Sequence, residues 1–130
     1  MSDSLFTKII NGEIPSHKIY EDDKTYAFLD IHPSVPGHTL VVPKTEVEFV
    51  WDLEKTDYQA LMATARKIAK HLRNTLDVPY VGSKVIGVDV PHAHVHLIPF
   101  ATTDEFRRIG DQAAESDHEA LAEMAKKLAF

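Results

Sequence analysis

The sequence predicts an α+β fold in which an antiparallel five-stranded sheet carries helices on one face. Short runs of β-branched and aromatic residues follow one another with short connections, which favours antiparallel pairing. One long segment, 55–76, instead repeats apolar residues at helical spacing. The chain has 130 residues, of which 44% are hydrophobic and 26% charged, as in ordinary globular proteins. That length suits one domain with a single hydrophobic core.

A short helix and three strands are predicted in the first third of the chain. Residues 4–11 form the helix, with Ser4 as its cap and Asn11-Gly12 as its stop signal. Two β-type runs joined by Asp22-Asp23-Lys24 form a hairpin, and a third run follows a loop that contains two prolines and a glycine. The three strands are 18–21, 25–29 and 38–43.

The rest of the chain is predicted to hold the long helix, two more strands and a short C-terminal helix. The long helix, 55–76, has one apolar stripe and Thr56 as its N-cap. Residues 101–115 are polar and irregular, and a capping box over 116–119 starts the last helix at Ser116. The two strands are 81–88 and 92–100.

Composition and charge narrow the classes of function. The formal net charge of −6 argues against nucleic acid or an anionic membrane as a partner. The absence of cysteine from the sequence excludes disulfides and cysteine-ligated zinc. No apolar run reaches the length of a transmembrane helix, and the N-terminus lacks the basic and apolar regions of a signal peptide. We therefore expect a cytoplasmic protein with no membrane or nucleic-acid partner.

Three histidines on alternate residues, His92, His94 and His96, are the most informative feature of the chain. On a β-strand this spacing places all three imidazoles on one face, whereas on a helix they would not converge. Because imidazole titrates near neutrality, the row indicates proton transfer, nucleophilic attack or metal binding. A fourth histidine, His38, begins another predicted strand, and antiparallel pairing would bring it near the row.

Two chemistries compete for these histidines. The central imidazole, His94, can attack phosphorus and later leave, which divides one difficult displacement into two easier steps. Its neighbours would then orient it or assist the leaving group. Alternatively, His-x-His is a common metal-ligand spacing, and His38 would add a third imidazole. No carboxylate lies within the row, and Asp89 is the nearest acid, so we favour the nucleophile.

The chain resembles the histidine-triad (HIT) family. Residues 92–98 match the signature His-φ-His-φ-His-φ-φ, in which φ is apolar. Four further segments, in consistent order between about residues 4 and 100, follow the pattern of the Hint branch of that family. They are Leu5-Phe6-Thr7-Lys8-Ile9-Ile10-Asn11-Gly12-Glu13-Ile14-Pro15, Tyr20-Glu21-Asp22-Asp23, Ala27-Phe28-Leu29-Asp30-Ile31 and Pro36-Gly37-His38-Thr39-Leu40-Val41-Val42-Pro43-Lys44. The resemblance implies a HIT-like fold and a single domain over 1–130, with a core at about 4–100 and an extension at 101–130.

The resemblance implies a nucleotide hydrolase or transferase that acts at the α-phosphate without a metal or another cofactor. Purine nucleoside phosphoramidates and dinucleoside polyphosphates are the implied substrates. By motif position, His94 would be the nucleophile that forms a nucleotidyl-histidine intermediate. His96 and His92 would contact phosphate or hold His94, and His38 would complete the cluster. Members of the family pack through the long helix as two-fold dimers, so a homodimer is expected.

A nucleotide-binding set is implied in the same way. Asp30 would accept hydrogen bonds from the ribose hydroxyls. Apolar residues would form a purine slot, although Ile9 and Leu40 are equally well explained as ordinary core. The slot residues are Phe6, Ile9, Phe28, Leu29, Ile31 and Leu40, and Asp89 completes the set.

Two departures from the family pattern change what we expect. Many relatives hold structural zinc with a Cys-x-x-Cys pair and later histidines, but this chain has Ser4 and Thr7 at the paired positions and Thr45-Glu46 where a histidine is often found. We therefore expect no structural zinc. On the phosphate side, Val88 stands where relatives carry Gln, and the usual Asn is missing. Ser83-Lys84 or backbone N–H groups would replace those contacts.

Two other functions stay open at this point. The altered phosphate side favours a nucleotide-binding regulatory protein with little turnover, and the histidine cluster also allows a metal-dependent hydrolase. Residues 101–130 lie outside the strong resemblance. There Phe106, Arg107 or Arg108 would tune specificity, or else form part of a solvated tail.

Overall fold

The fold is a five-stranded antiparallel sheet with helices on both faces, seen in a computed structural model that describes residues 3–130. The elements in chain order are α1 (Leu5–Ile10), β1 (Lys18–Glu21), β2 (Thr25–Leu29), β3 (Thr39–Pro43), α2 (Lys55–Leu76), β4 (Tyr80–Lys84), β5 (Val95–Phe100), α3 (Thr103–Arg107) and α4 (His118–Leu128). The strands lie in the order β1-β2-β3-β5-β4, and every neighbouring pair is antiparallel. The predicted α+β class and five-stranded sheet are confirmed. Within residues 3–130, no helix has both the length and the apolar character needed to cross a membrane.

An apolar layer covers each face of the sheet, so the prediction that all helices share one face is wrong. α2 and α4 cover one layer, in which Leu61, Ile68 and Leu72 are fully buried. α1 covers the other, where Phe6 and Ile9 pack on alternate residues of β2 and β3. Both strands are buried at every position. After the Thr that begins each strand, their sequence is apolar at every position instead of alternating, which is typical of a sheet covered on two sides.

The helix ends follow the predictions in part. Ser4 caps α1 as predicted, because its Oγ accepts a hydrogen bond from Thr7 N at 3.0 Å. α2 has the predicted bounds, but it is preceded by Glu54 without a side-chain cap, and Thr56 lies inside its first turn. α4 is capped by Asp117, so it begins later than the predicted Ser116.

α3 lies in the segment that we predicted to be irregular. Thr102 Oγ1 accepts from Glu105 N at 3.3 Å, and Glu105 Oε1 accepts from Thr102 N at 3.0 Å. This reciprocal capping box has the Thr-x-x-Glu spacing in sequence that predicts a helix start. Phe106 of α3 packs over Gly82 of β4 and against the ring of Phe100. It is therefore held by the sheet and is not part of a solvated tail.

The strands around the histidine row are shorter than predicted. β4 ends at Lys84 instead of at 88, and β3 begins one residue after His38. β5 begins only at Val95, so His92 and His94 precede the strand.

Two residues between β4 and β5 interrupt the pairing. Gly87 has a φ of +78°, and Pro91 has no N–H to donate to a neighbouring strand. Ala93 N donates to Val47 O at 2.7 Å, which anchors this residue just before β5 begins. Ala93 and Val95 therefore point into the core under α2. The three imidazoles lie on the opposite face, beside α1.

Candidate active site

A cavity of about 320 Å³ lies between α1, the adjoining face of β2 and β3, and the histidine row. Its lining includes His94 and His96, whereas His92 and His38 stand behind it. All of the predicted nucleotide-binding residues border this one cavity, although they come from separate parts of the chain. They are Phe6 and Ile9 of α1, Phe28 and Leu29 of β2, Asp30 and Ile31 directly after it, Leu40 of β3, and Asp89.

The apolar wall of the cavity is built by α1 and by alternate residues of β2 and β3. Phe6 lies edge-on to Phe28 with ring centroids 5.5 Å apart, and Ile9 and Leu40 are buried beside them. Such a wall can hold a flat aromatic base. Leu29 differs from the others, because its side chain belongs to the core under α2. It borders the cavity as a core residue.

A carboxylate follows the end of β2. Asp30 Oδ1 accepts a hydrogen bond from His32 N at 2.8 Å, and Asp30 Oδ2 lies 3.6 Å from His38 Nε2. Burial raises the pKa of the Asp30 carboxyl, and the hydrogen bond from the His32 amide opposes that shift. A carboxylate at the cavity wall has acceptor capacity for the paired hydroxyls of a sugar.

One ring nitrogen of His94 is engaged by the backbone, and the other has no hydrogen-bond partner among residues 3–130. Its Nδ1–H donates to the backbone oxygen of His92 at 2.8 Å, since a carbonyl can only accept. In the neutral ring, Nε2 then carries a lone pair. The ring lies edge-on to Phe6 and to His96, with centroids 5.0 Å away in both cases. This tautomer makes Nε2 the nitrogen that can act as a nucleophile.

His92 supports His94 from behind the cavity. Its Nε2–H donates to Pro43 O at 2.7 Å, and its Nδ1 lies 2.8 Å from Ser4 Oγ. The ring is fully buried, and burial lowers its pKa. Both ring nitrogens are occupied, so the expected phosphate contact is not available to this imidazole. Its contact with His94 runs through the backbone carbonyl.

His38 and His96 form a hydrogen-bonded pair. Ser34 N donates to His38 Nδ1 at 3.0 Å, so the neutral His38 ring carries its proton on Nε2. That proton is shared with His96 Nδ1 at 3.0 Å, which leaves the His96 proton on Nε2. Burial is the main cause that lowers the pKa of each ring to about 4. Both rings are therefore neutral near pH 7, and His96 presents an N–H donor at the cavity wall.

Asp30, His38 and His96 place ligand atoms within 4.8 Å of one another, a spacing that a metal ion could bridge. The tautomers oppose this use. A metal would need the Nε2 lone pair of His38, and moving that proton to Nδ1 would set it against the Ser34 N–H. The residue types suit a metal, whereas their hydrogen bonds suit the metal-free state.

The positions at which the resemblance would put zinc ligands form a different kind of cluster. The hydroxyls of Ser4 and Thr7 meet the His92 ring and the Glu46 carboxylate through hydrogen bonds. Structural zinc is held by four ligands drawn from thiolates, imidazoles and carboxylates. Two of the four side chains here are hydroxyls, so this donor set does not fit that metal.

Lys84 brings a positive charge to the histidine face of the sheet. It pairs with His96 across β4 and β5, and directly opposed residues share a face. Ser83 pairs with Leu97 of the core and so lies on the other face. Nζ of Lys84 donates to Phe106 O at 2.9 Å. After burial and the neighbouring histidines, the charge of Lys84 adds to the causes that lower the pKa of His96.

The C-terminal segment also reaches the cavity, but through Gln112, which the sequence analysis did not single out. Gly110 packs on the backbone oxygen of His32 so closely that any Cβ would collide with it. This approach brings Gln112 into the cavity lining. Arg107 and Arg108, by contrast, are exposed.

Comparison with known proteins gives independent findings. A family model for the HIT domain matches residues 11–103. The chain is 35% identical over 125 residues to the adenosine 5′-monophosphoramidase HNT1 of Saccharomyces cerevisiae, covering 95% of this chain and 79% of that protein. It is 38% identical over 113 residues to an uncharacterized HIT-like protein of Borreliella burgdorferi, covering 82% of this chain and 81% of that protein.

A solved structure shares the architecture. It is the crystal structure of a Hit-like protein involved in cell-cycle regulation from Bartonella henselae, solved with an unknown ligand. The two chains superpose with a TM-score of 0.82 at 32% identity, and the match covers 97% of this chain and 94% of that chain.

Proposed function

Because this chain belongs to the HIT domain family, we propose that it is a nucleotide hydrolase in which His94 attacks the α-phosphorus of a bound nucleotide. Its likeness to an adenosine 5′-monophosphoramidase supports a nucleotide hydrolase in general. The observation that carries the finer proposal is the tautomer of His94, whose Nδ1–H is held by the His92 carbonyl, so that the lone pair is on Nε2. Purine nucleoside phosphoramidates are the proposed substrates, and dinucleoside polyphosphates are the second class.

The proposed reaction has two steps. First, His94 Nε2 bonds to the α-phosphorus while the bond from phosphorus to the leaving amine breaks, and the amine departs with a proton from solvent. Then water attacks the phosphorus, the bond to His94 breaks, and the proton lost by water returns to solvent. The products are a nucleoside monophosphate and the free amine. His94 is thereby restored to its neutral form.

His96 acts in this scheme as a hydrogen-bond donor and not as an acid. Loss of its only ring proton would leave an imidazolate, which is too basic to form near pH 7. A neutral N–H aimed at a phosphoryl oxygen instead stabilises the charge that develops there in the transition state. His38 fixes this role, because its own N–H occupies Nδ1 of His96 at 3.0 Å.

The nucleotide would lie with its base in the apolar slot and its sugar beside Asp30. Phe6 and Phe28 would contact the faces of the base, which does not distinguish adenine from guanine. A carboxylate that accepts from two ribose hydroxyls would fix the sugar. This orientation would place the α-phosphate at His94 and His96, which line the same cavity.

Lys84 is the proposed replacement for the polar residues that relatives carry on the phosphate side. It lies opposite His96 on the histidine face, whereas Ser83 points to the other face. A cation at this position would offset the charge of the phosphate. The Lys84 Nζ would exchange its contact with Phe106 O for a phosphoryl oxygen.

A second candidate is a nucleotide-binding regulatory protein with little turnover. The observation that favours it is Val88, which is 80% exposed and offers no polar side chain where relatives carry Gln. A metal-dependent hydrolase is the third candidate, carried by the spacing of Asp30, His38 and His96. Loss of turnover in a chelator, restored by one equivalent of zinc, would favour this third candidate over metal-free catalysis.

We also propose a homodimer and a single domain over 1–130. Strand β4 lies at an edge of the sheet, so its outer side could pair with a second copy of the chain. Tyr80 of this strand is 56% exposed and would be covered in such a dimer. Leu121 and Leu128 of α4 join the same core cluster as α2, which ties residues 101–130 to the rest. The cytoplasmic location and the absence of membrane and nucleic-acid partners stay predictions.

Turnover of adenosine phosphoramidate tests the proposed function. The wild type should release AMP and amine, His94→Asn should release neither, and His118→Asn, at an exposed position on α4, should match the wild type. Circular dichroism checks that each variant is folded at the assay temperature. A folded wild type that binds AMP but releases no product would favour the regulatory protein instead.

A further inference from the structure

We propose that Glu46 is a positioning residue for the nucleophile, and that it acts on His92 through the hydroxyls of Ser4 and Thr7. The inference rests on the proposed role of His94 and deepens it. Glu46 is far from the histidine row in sequence. It lies on the surface, on the side of His92 that faces away from the cavity.

The chain of hydrogen bonds starts at the exposed carboxylate. Glu46 Oε1 accepts from Ser4 N at 2.7 Å and from Thr7 Oγ1 at 2.6 Å. Both bonds are at the short end for their types, as expected when the acceptor is charged. The hydrogen bond from Thr7 and the one from the Ser4 backbone lower the pKa of the Glu46 carboxyl, which keeps it ionised near pH 7.

Two hydroxyls connect this carboxylate to His92. Ser4 Oγ lies 2.8 Å from His92 Nδ1 and 3.2 Å from Thr7 Oγ1. When His92 is neutral, its Nε2–H is held by Pro43 O, so Ser4 Oγ donates to Nδ1. Thr7 then keeps its one hydroxyl proton on Glu46, and Glu46 is linked to Ser4 through the Ser4 N–H and not through the contact between the two hydroxyls. When His92 is protonated, Nδ1–H donates to Ser4 Oγ, and Ser4 donates to Thr7 Oγ1. The polar atoms of this chain therefore keep partners in both charge states of His92.

His92 passes this order on to His94. Because the His92 ring is hydrogen-bonded at both nitrogens, the position of the His92 backbone is fixed as well. The His92 carbonyl in turn accepts from His94 Nδ1 at 2.8 Å. Ser4 also caps α1, whose Phe6 lies 5.8 Å from the His92 ring and 5.0 Å from the His94 ring. Glu46 thus supports the nucleophile by two routes, one through hydrogen bonds and one through packing.

The charge of Glu46 acts in the same direction. Two charged groups act on the pKa of His92, in addition to the effect of burial. The Glu46 carboxylate raises this pKa, and His94 lowers it when His94 is charged. His94 gains positive charge as it bonds to phosphorus. The carboxylate at the far end of the hydrogen-bond chain would stabilise that charge across the buried ring.

Steady-state kinetics of Glu46→Gln test the proposal, with Glu54→Gln as the control that removes the same charge from an exposed position just before α2. Glutamine keeps an acceptor oxygen and loses the charge. We expect kcat to fall about tenfold to a hundredfold, as a small misplacement of a reacting group can cause, with KM changed less than about twofold. Glu54→Gln should match the wild type. Equal kcat values for the two variants would overturn the proposal.

A double variant tests the route through Thr7. Thr7→Val removes the hydroxyl but keeps the shape of the side chain, so it should lower kcat as Glu46→Gln does. If Glu46 acts through this hydroxyl, the two changes together should lower kcat no further than the stronger one alone. Losses that multiply would overturn the proposed route.

Nitrogen NMR of the imidazoles gives a readout that does not need turnover. Glu46→Gln should lower the pKa of His92 and shift the Nδ1 resonances of His92 and His94, and Glu54→Gln should leave them as in the wild type. If the wild type lacks turnover, the proposed function fails and this titration alone decides the positioning role. Unchanged His92 and His94 resonances in a folded Glu46→Gln protein would then overturn it.

Discussion

Acid is expected to destabilise the fold through the His38–His96 pair. Each ring has a pKa of about 4 in the folded protein, against 6.5 for an ordinary histidine. Because the pKa of each ring is lower in the folded protein, the unfolded chain binds protons between pH 6.5 and about 4, and the folded chain does not. The free energy of unfolding therefore falls as pH drops through this window. The contribution of the neutral pair to this free energy is complete above pH 6.5 and lost below about 4.

The size of the effect follows from the same values. A change from 6.5 to about 4 at one ring corresponds to about 3 kcal/mol of unfolding free energy. The two rings do not simply add, because His38 is itself one cause of the shift at His96. We therefore expect at least about 3 kcal/mol from the pair, a large share of the roughly 5–15 kcal/mol that stabilises a typical domain.

Urea unfolding followed by circular dichroism between about pH 4 and 7 measures this loss. His38→Asn keeps an acceptor near Ser34 N but cannot titrate, so its unfolding free energy should depend on pH less steeply by about 1.4 kcal/mol per unit. Equal slopes for the wild type and His38→Asn would refute the reasoning.

Three substitutions test other parts of the structure. Ser4→Ala removes the α1 cap and the donor to the buried Nδ1 of His92. The free energy of unfolding, measured with urea at pH 7, should therefore fall by about 1–3 kcal/mol. An unchanged value would mean that the cap and this hydrogen bond do not form. Gly82→Ala drives a Cβ into the ring of Phe106, so the same measurement should show a loss of about 1–3 kcal/mol, and an unchanged value would place Phe106 elsewhere. Asp30→Asn should raise KM for adenosine phosphoramidate by about tenfold or more, through loss of charge-assisted bonds to ribose. A 2′,3′-dideoxy substrate should then be bound equally by Asp30→Asn and the wild type, and a persisting difference would separate Asp30 from the sugar.

Local sequence patterns predicted most elements of the fold correctly. The strands 18–21 and 25–29 and the long helix have the predicted bounds because each is set by local alternation or periodicity. The two-sided cover of the sheet was missed, although Tyr26 and Phe28 alternate with buried Ala27 in β2 and so leave two apolar faces. A short continuous apolar run shows that both faces are buried, but it does not show what covers each face.

The sequence predicted which residues form the candidate site, but it did not predict which of them reach the cavity or which tautomers they hold. Alternation fixes the face on which His92, His94 and His96 lie, and the structure puts all three there. It does not fix which ring reaches the cavity, because that depends on where β5 begins. The tautomers depend on Ser34 and on Pro43, the latter 49 positions from His92 in the chain, and no local pattern relates them.

Intact-protein mass spectrometry after rapid mixing with adenosine phosphoramidate, quenched without acid, tests most directly whether His94 is a covalent nucleophile. The wild type should gain the mass of one adenylyl group within a single turnover, and His94→Gly should gain none. Acid is avoided because a phosphorus–nitrogen bond to histidine is labile at low pH. Substrate consumed at the wild-type rate with no adduct at any mixing time, or an adduct that persists in His94→Gly, would contradict nucleotidyl transfer through this residue.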